Sequence, residues 1–140
     1  MVYVSYYFRR SKINNILIDF ECDDFVIVNK PHGVLSHPTN TSKELTVSDF
    51  LKDKYNLSGV GDIGREGVVH RLDRVTTGLM VCPINDESFK VFKSMFHDRN
   101  IKKYYKALVE GNLQSKTGEI ELPLKRSSKN RKKREVSKDG

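Results

Sequence analysis

The feature that most restricts the fold is a pair of short apolar runs that stop abruptly. Phe25-Val26-Ile27-Val28 is largely β-branched, has no helical stagger and stops at Asn29-Lys30-Pro31. Leu79-Met80-Val81-Cys82 repeats the pattern and meets Pro83. Runs of this length, bounded by turn-forming residues, read as buried strands. Proline has no N–H to give to a ladder, so the second strand should end, bulge or lie at a sheet edge at Pro83. Helical patterns intermix with these strands. Thr46 to Tyr55 sets Val47, Phe50, Leu51 and Tyr55 on one side. Asn85 suits an N-cap with Asp86 and Glu87 in the first turn, and Phe89, Phe92 and Phe96 give that second helix its buried face before a stop at Asn100. Pro31, Gly33 and Pro38 keep one connection irregular, and the glycines between Asn56 and Gly67 mark a loop. From Ile101 to Val109 a period of two places Ile101, Lys103, Tyr105, Ala107 and Val109 on one face, which predicts a strand ended by Gly111-Asn112. Ile120 to Leu124 reads as a last extended piece. Without a regular βαβ repeat, the expected class is α+β, with a mixed, largely antiparallel sheet and flanking helices.

Composition narrows the function. A chain of 140 residues fits one domain and nearly excludes a two-domain enzyme. The formal net charge of +7 favours an acidic partner, RNA or DNA first. Eight of the 25 Lys and Arg, but only two of the 18 Asp and Glu, fall between Lys125 and Gly140; that segment carries +6 and the rest of the chain +1. The basicity is a property of the tail. No apolar run approaches the ~20 residues that span a bilayer, and Met1 to Arg10 lacks a signal-peptide core. Cys22 and Cys82 are isolated, and His32, His37, His70 and His97 lack metal-ligand spacing, so no metal or disulfide framework is expected, and a reduced, cytoplasmic protein is the default.

One stretch concentrates chemistry: His70-Arg71-Leu72-Asp73-Arg74-Val75-Thr76-Thr77-Gly78-Leu79. A carboxylate lies between two arginines, after a glycine-rich loop and before a Thr-Thr-Gly turn. An ordinary aspartate, with a pKa of about 3.9, is ionised at neutral pH and needs no separate base to act as a nucleophile. On residue types alone, a surface ion pair of Asp73 with Arg71 or Arg74 is the plainer reading.

The same stretch resembles the active-site motif of RluA-type pseudouridine synthases, His-Arg-Leu-Asp followed after two residues by Thr-Ser-Gly-Leu, with Thr77 where that family usually has Ser. Asp23-Asp24-Phe25-Val26-Ile27-Val28-Asn29-Lys30-Pro31-His32-Gly33 resembles its acidic, strand, Asn-Lys-Pro-x-Gly segment. Lys103-Tyr104-Tyr105-Lys106-Ala107-Leu108-Val109-Glu110-Gly111 resembles its Lys-x-Tyr-x-Ala-x-Val-x-Gly strand. The resemblance implies an enzyme that isomerises uridine to pseudouridine in ribosomal or transfer RNA without cofactor or metal. It makes Asp73 the catalytic carboxylate, gives Arg71 the space vacated by the flipped base, and stacks Tyr105 on the uracil. Lys103 shares the face of Tyr105 by strand parity, with an exposed sheet lysine as the equal alternative. Arg74 is a further candidate RNA contact. Thr76, Thr77 and Gly78 would shape the turn that presents Asp73. For His70 local hydrogen bonding is favoured over acid–base chemistry, and Asn29, Lys30 and Gly33 read as scaffold beside the site. His32, His37 and His97 read as ordinary loop or surface residues. In the tail, Lys125, Arg126, Arg131, Lys132, Lys133 and Arg134 are candidate phosphate contacts, with a solvated charge run as the alternative.

The chain also departs from that family. Pro83 interrupts a strand the family keeps unbroken, and no later Gly-Arg-x-His-Gln-Ile-Arg segment follows. The expectation is therefore an arm over 1–15, the N-terminal part of a catalytic domain over 16–124, and a basic tail or loop over 125–140 leading into a missing second half. The complete enzyme is expected to be a monomer. The alternative is a truncated, inactive RNA-binding remnant. A third class, another carboxylate enzyme such as a glycosidase or a phosphoryl-transfer protein, would call for a second acidic partner or a phosphate-cradling glycine loop; the glycines of 59–67 lack the latter spacing.

Overall fold

A computed structural model describes residues 15–39, 42, 44–129 and 133–137. The expected arm over 1–15 lies almost wholly outside the described residues. The chain divides into two compact units, the first ending at Lys103 and the second starting at Tyr104.

The first unit is built on a three-stranded antiparallel sheet in the order β1-β2-β3. β1 spans Leu17–Glu21, β2 Phe25–Lys30 and β3 Gly78–Pro83. β2 is central, and its period of two decides what the sheet buries. Val26 and Val28 face inward, opposite Cys82 and Met80 of β3, and all four are fully buried. The same parity carries Lys30 inward at the strand end, opposite Gly78. Pro83 is the last residue of β3, paired with Phe25, where the missing N–H interrupts nothing further along the strand.

The helix α1, Val47–Lys54, follows from its N-terminal chemistry. The Thr46 hydroxyl accepts from the Asp49 N–H (3.2 Å), and the Asp49 carboxylate accepts from the Thr46 N–H (3.0 Å), a reciprocal capping box. Val47, Phe50 and Leu51 are buried in the core with Leu57, Val60, Val68 and Leu72. Burying each large apolar side chain contributes about 1.5–3 kcal/mol. Gly67 lies where the glycine-rich loop crosses this core. Its φ is +71°, and a Cβ there would sit 3.1 Å from Leu51 and Leu57 and 3.2 Å from the Pro83 carbonyl.

The helix α2, Asp86–His97, starts at Asn85, whose side chain accepts from the Ser88 N–H at 2.8 Å. Phe89 is buried, and Phe92 meets Phe25 edge-on with centroids 5.2 Å apart. The helix ends at His97, short of the expected stop at Asn100. Arg99 turns left-handed (φ 58°), and the N–H groups of Asn100 and Arg99 cap the Met95 and Phe96 carbonyls.

The strand expected over Ile101–Val109 does not form. Among the described residues, no backbone–backbone hydrogen bond involves 101–122, and residues 102–109 are exposed. Alternation supplies a face for a strand, but a strand also needs a ladder to satisfy its N–H and C=O groups and cross-strand side chains to pack against. The second unit instead pairs β4, Leu124–Arg126, with β5, Arg134–Val136, as an antiparallel hairpin. The basic segment is thus partly ordered as strand, with Lys125 opposite Glu135 and Arg126 opposite Arg134.

Candidate functional site

The site is built around Leu72. His70 and Leu72 turn inward while Arg71 and Asp73 are exposed, an alternation that presents the carboxylate and the guanidinium to solvent. The Leu72 side chain joins the core, and its backbone is held at both polar atoms: the Ser36 hydroxyl accepts from the Leu72 N–H (3.1 Å) and donates to the Leu72 carbonyl (2.9 Å). On the far side of Asp73, the Arg74 carbonyl accepts from the Gly33 N–H (2.8 Å) and the Lys30 ammonium (3.4 Å). The Asp73 carbonyl itself accepts from the Thr76 N–H at 3.0 Å, closing the turn that leads through Thr77 to Gly78 and β3. Asp73 therefore sits between two anchored residues, and the anchors come from the last residue of β2, Lys30, and from Gly33 and Ser36 in the segment that follows it.

Lys30 is the charged member of this scaffold. Its ammonium also donates to the Val34 carbonyl (2.8 Å) and the Pro31 carbonyl (3.2 Å). Burial pushes its pKa below the ordinary lysine range, and the negative charge of Asp73 draws it back up. The cation is held by three carbonyls, and its charge and that of Asp73 attract one another.

The ion pair that residue types alone favour does not form. Arg74 pairs with Glu44 at 2.8 Å, and among the described residues Asp73 makes no salt bridge with Arg71 or Arg74. A neighbour in sequence is not a neighbour in space where successive side chains diverge, so Asp73 is left exposed.

His70 has a local role. Its Nε2 accepts the Val81 N–H at 3.1 Å, and its ring stacks on Phe96 with centroids 4.4 Å apart. Burial, with the positive charge of Lys103 adding to it, lowers its pKa to about 4. The imidazole is neutral, with its proton on Nδ1. Lys103 reaches over the Phe96 ring at 5.2 Å, and Phe96, Arg99, Ile101 and Lys103 line a hollow of about 290 Å³ at the end of α2. Tyr105 belongs to the second unit and is exposed. Lys125, Arg126, Lys133 and Arg134 are exposed on or beside the hairpin, whereas Arg131 and Lys132 lie outside the described residues. His32 and His97 are exposed; His37 lies in a loop and is buried there, with Nδ1 2.8 Å from the Pro38 carbonyl. Among the described residues no cluster of three or more His, Cys, Asp or Glu side chains could hold a metal, and no helix is long and apolar enough to cross a membrane.

Sequence reasoning did not single out Ser36 or Glu44. Neither carries a local signal: Ser36 lies in a loop after Pro and Gly, and its partner is 36 positions away.

The amino-acid sequence matches a known family. The family model for RNA pseudouridylate synthase fits residues 24–140. The chain belongs to the RNA pseudouridylate synthase family. A relative from Borreliella burgdorferi named ribosomal large subunit pseudouridine synthase D is 37% identical over 131 residues, covering 89% of this chain and 39% of the relative. A relative from Pasteurella multocida named dual-specificity RNA pseudouridine synthase RluA is 34% identical over 115 residues, covering 81% of this chain and 49% of the relative. The chain thus spans less than half the length of these relatives. Among solved structures, human RNA pseudouridylate synthase domain containing 4 is 25% identical with a TM-score of 0.46, covering 59% of this chain and 30% of that one.

Proposed function

We propose that this chain carries the catalytic carboxylate of an RNA pseudouridine synthase and that Asp73 is that group. The supporting observation is the presentation of Asp73: exposed, without a salt bridge among the described residues, and fixed on both sides through Leu72 and Arg74. An accessible carboxylate on an anchored backbone suits a nucleophile or base, and Asp73 is exposed between two residues whose backbone is held.

The reaction is an isomerisation, so its atoms balance within the nucleotide. The N1–C1′ bond breaks, the uracil turns, C5 bonds to C1′, and the hydrogen lost from C5 is balanced by one gained at N1. Asp73 acts by attack on the base, by attack on C1′, or by removing the C2′ proton to give a glycal. The target base must leave its stack, at a cost of a few kcal/mol. Arg71, exposed two residues before Asp73, is the planar cation suited to fill the vacated space. Tyr105 is assigned to stacking on the detached uracil, an interaction worth about 1–3 kcal/mol per base. Lys103, Arg74 and the basic residues near the β4–β5 hairpin are assigned to the RNA backbone. The relative named for the ribosomal large subunit makes ribosomal RNA the first substrate to test, and the relative named for dual specificity adds transfer RNA.

The test is pseudouridine formation on such transcripts by the full-length protein, with Asp73→Asn as the control. RNA binding without turnover by the unmutated protein would favour the inactive, RNA-binding alternative.

A further inference from the structure

We infer that Ser36 is a positioning residue for Asp73, acting through the backbone of Leu72; the inference rests on the reading of Asp73 as the catalytic carboxylate.

Leu72 lies outside the sheet, just before β3, so no ladder takes up its N–H and C=O. A serine hydroxyl is both donor and acceptor, and the Ser36 Oγ meets both polar groups of this one residue, at 2.9 and 3.1 Å, with the weaker acceptor Met80 Sδ farther off at 3.7 Å. The pair is buried: Ser36 is 4% exposed and Leu72 8%. With water excluded, a side chain lacking a hydroxyl at position 36 would leave both groups of Leu72 without a partner, and the backbone would shift to find one. The residue that shift would move first is Asp73, covalently next.

Ser36 is itself anchored. Its carbonyl accepts from the Ser48 N–H in the first turn of α1 (3.1 Å), and the Leu35 carbonyl accepts from the Val47 N–H (2.9 Å). Two otherwise unpaired amides of the α1 N-terminus therefore hold the 35–36 backbone, and the hydroxyl passes that fixed position to Leu72. Gly33 and Lys30 hold the following residue through the Arg74 carbonyl, but they leave Leu72 untouched. Ser36 is the side chain that sets the approach to Asp73, as distinct from the turn that follows it. A carboxylate displaced by about 1 Å can lose on the order of 100-fold in rate with no change in what binds.

The experiment compares the full-length protein with Ser36→Ala and Ser36→Cys, using a large-subunit ribosomal RNA transcript as probe and correcting each rate for the folded fraction. The expected result is a kcat at least about 10-fold lower for Ser36→Ala, a KM for the transcript within about twofold of the unmutated protein, and faster hydrogen exchange at the Leu72 amide. Ser36→Cys keeps the size of the side chain with only a weak hydrogen-bonding group. If Ser36→Ala does not fold, a lowered kcat with unchanged KM in Ser36→Cys supports the inference. Unchanged kcat in the folded variants, or unchanged Leu72 exchange, overturns it. Loss of kcat with a parallel rise in KM also overturns it, since that pattern marks general damage to the binding surface. If the unmutated full-length protein forms no pseudouridine on any transcript, the reading of Asp73 fails first and the inference falls with it.

Discussion

Arg74 directs its guanidinium at Glu44, 2.8 Å away, and not at Asp73, its neighbour in the chain. The pairing links the turn after the motif to the segment before α1 and removes the most obvious local partner from the candidate carboxylate. Both side chains of the pair are about half exposed, so its worth to the fold is small, about 0–1 kcal/mol. Glu44→Gln should therefore leave the urea midpoint nearly unchanged. It should also leave RNA affinity equal or higher, since it frees a cation. Arg74→Gln should weaken RNA binding and reduce its salt slope by about 0.7 if it meets one phosphate of a single strand. Salt titrations of RNA binding check both, and an Arg74→Gln protein with the unmutated slope would remove Arg74 from the interface.

His70 gives a pH dependence with a defined sign. Its folded-state pKa is lowered to about 4, chiefly by burial, against an ordinary 6.5. The unfolded chain binds the proton first as pH falls, so the stabilisation from a neutral His70 is fully present above 6.5 and is lost between about 6.5 and 4. The full effect is on the order of 3 kcal/mol. Urea unfolding at pH 7.5 and pH 4.5 should show a smaller difference for His70→Gln, which keeps an acceptor for the Val81 N–H but does not titrate. An equal difference in both proteins would mean that His70 is not the titrating group.

Thr46 caps α1 and is fully buried. Its hydroxyl accepts from the Asp49 N–H and also donates to the Asp49 carboxylate at 2.8 Å. Thr46→Ala should cost about 1–2 kcal/mol, at the upper end for an N-cap because nothing replaces the lost hydroxyl in a buried position. Chemical denaturation measures this directly, and a loss below a few tenths of a kcal/mol would show that the cap is dispensable.

The basic segment is expected to act through charge. Its hairpin sets Arg126 opposite Arg134, a like-charge pair that costs the fold and is relieved by an anion. Removing residues 125–140 should flatten the salt dependence of RNA binding, with the slope falling by about 0.7 for each single-strand phosphate no longer neutralised. An unchanged slope would make the segment a bystander.

Local patterns make β2, β3, α1 and α2 legible. β-branched runs, an N-cap followed by acidic residues, and phenylalanines at helical spacing each act over a few residues, and the elements form where these point; of the three phenylalanines expected on the buried face of α2, Phe89 is buried and Phe92 and Phe96 are half-buried. Ile101–Val109 alternates without becoming a strand, because alternation does not guarantee a pairing partner. The site divides the same way. The motif places Asp73 and Arg71 together on an exposed loop, and Lys30 and Gly33 beside it. The hydroxyl of Ser36 on Leu72 and the pairing of Arg74 with Glu44 span 36 and 30 positions, and only the tertiary structure brings them together. His37 gives no local sign of its burial for the same reason: that burial depends on what folds over it.

The central claim is tested most directly by hydrogen release from C5. Forming the C5–C1′ bond expels the hydrogen at C5, so RNA labelled with tritium there loses its label only when pseudouridine forms. With the full-length protein, the unmutated enzyme should release tritium from ribosomal or transfer RNA transcripts. Asp73→Asn should release none while still binding the same transcripts. Release by Asp73→Asn at the unmutated rate would contradict the assignment of Asp73.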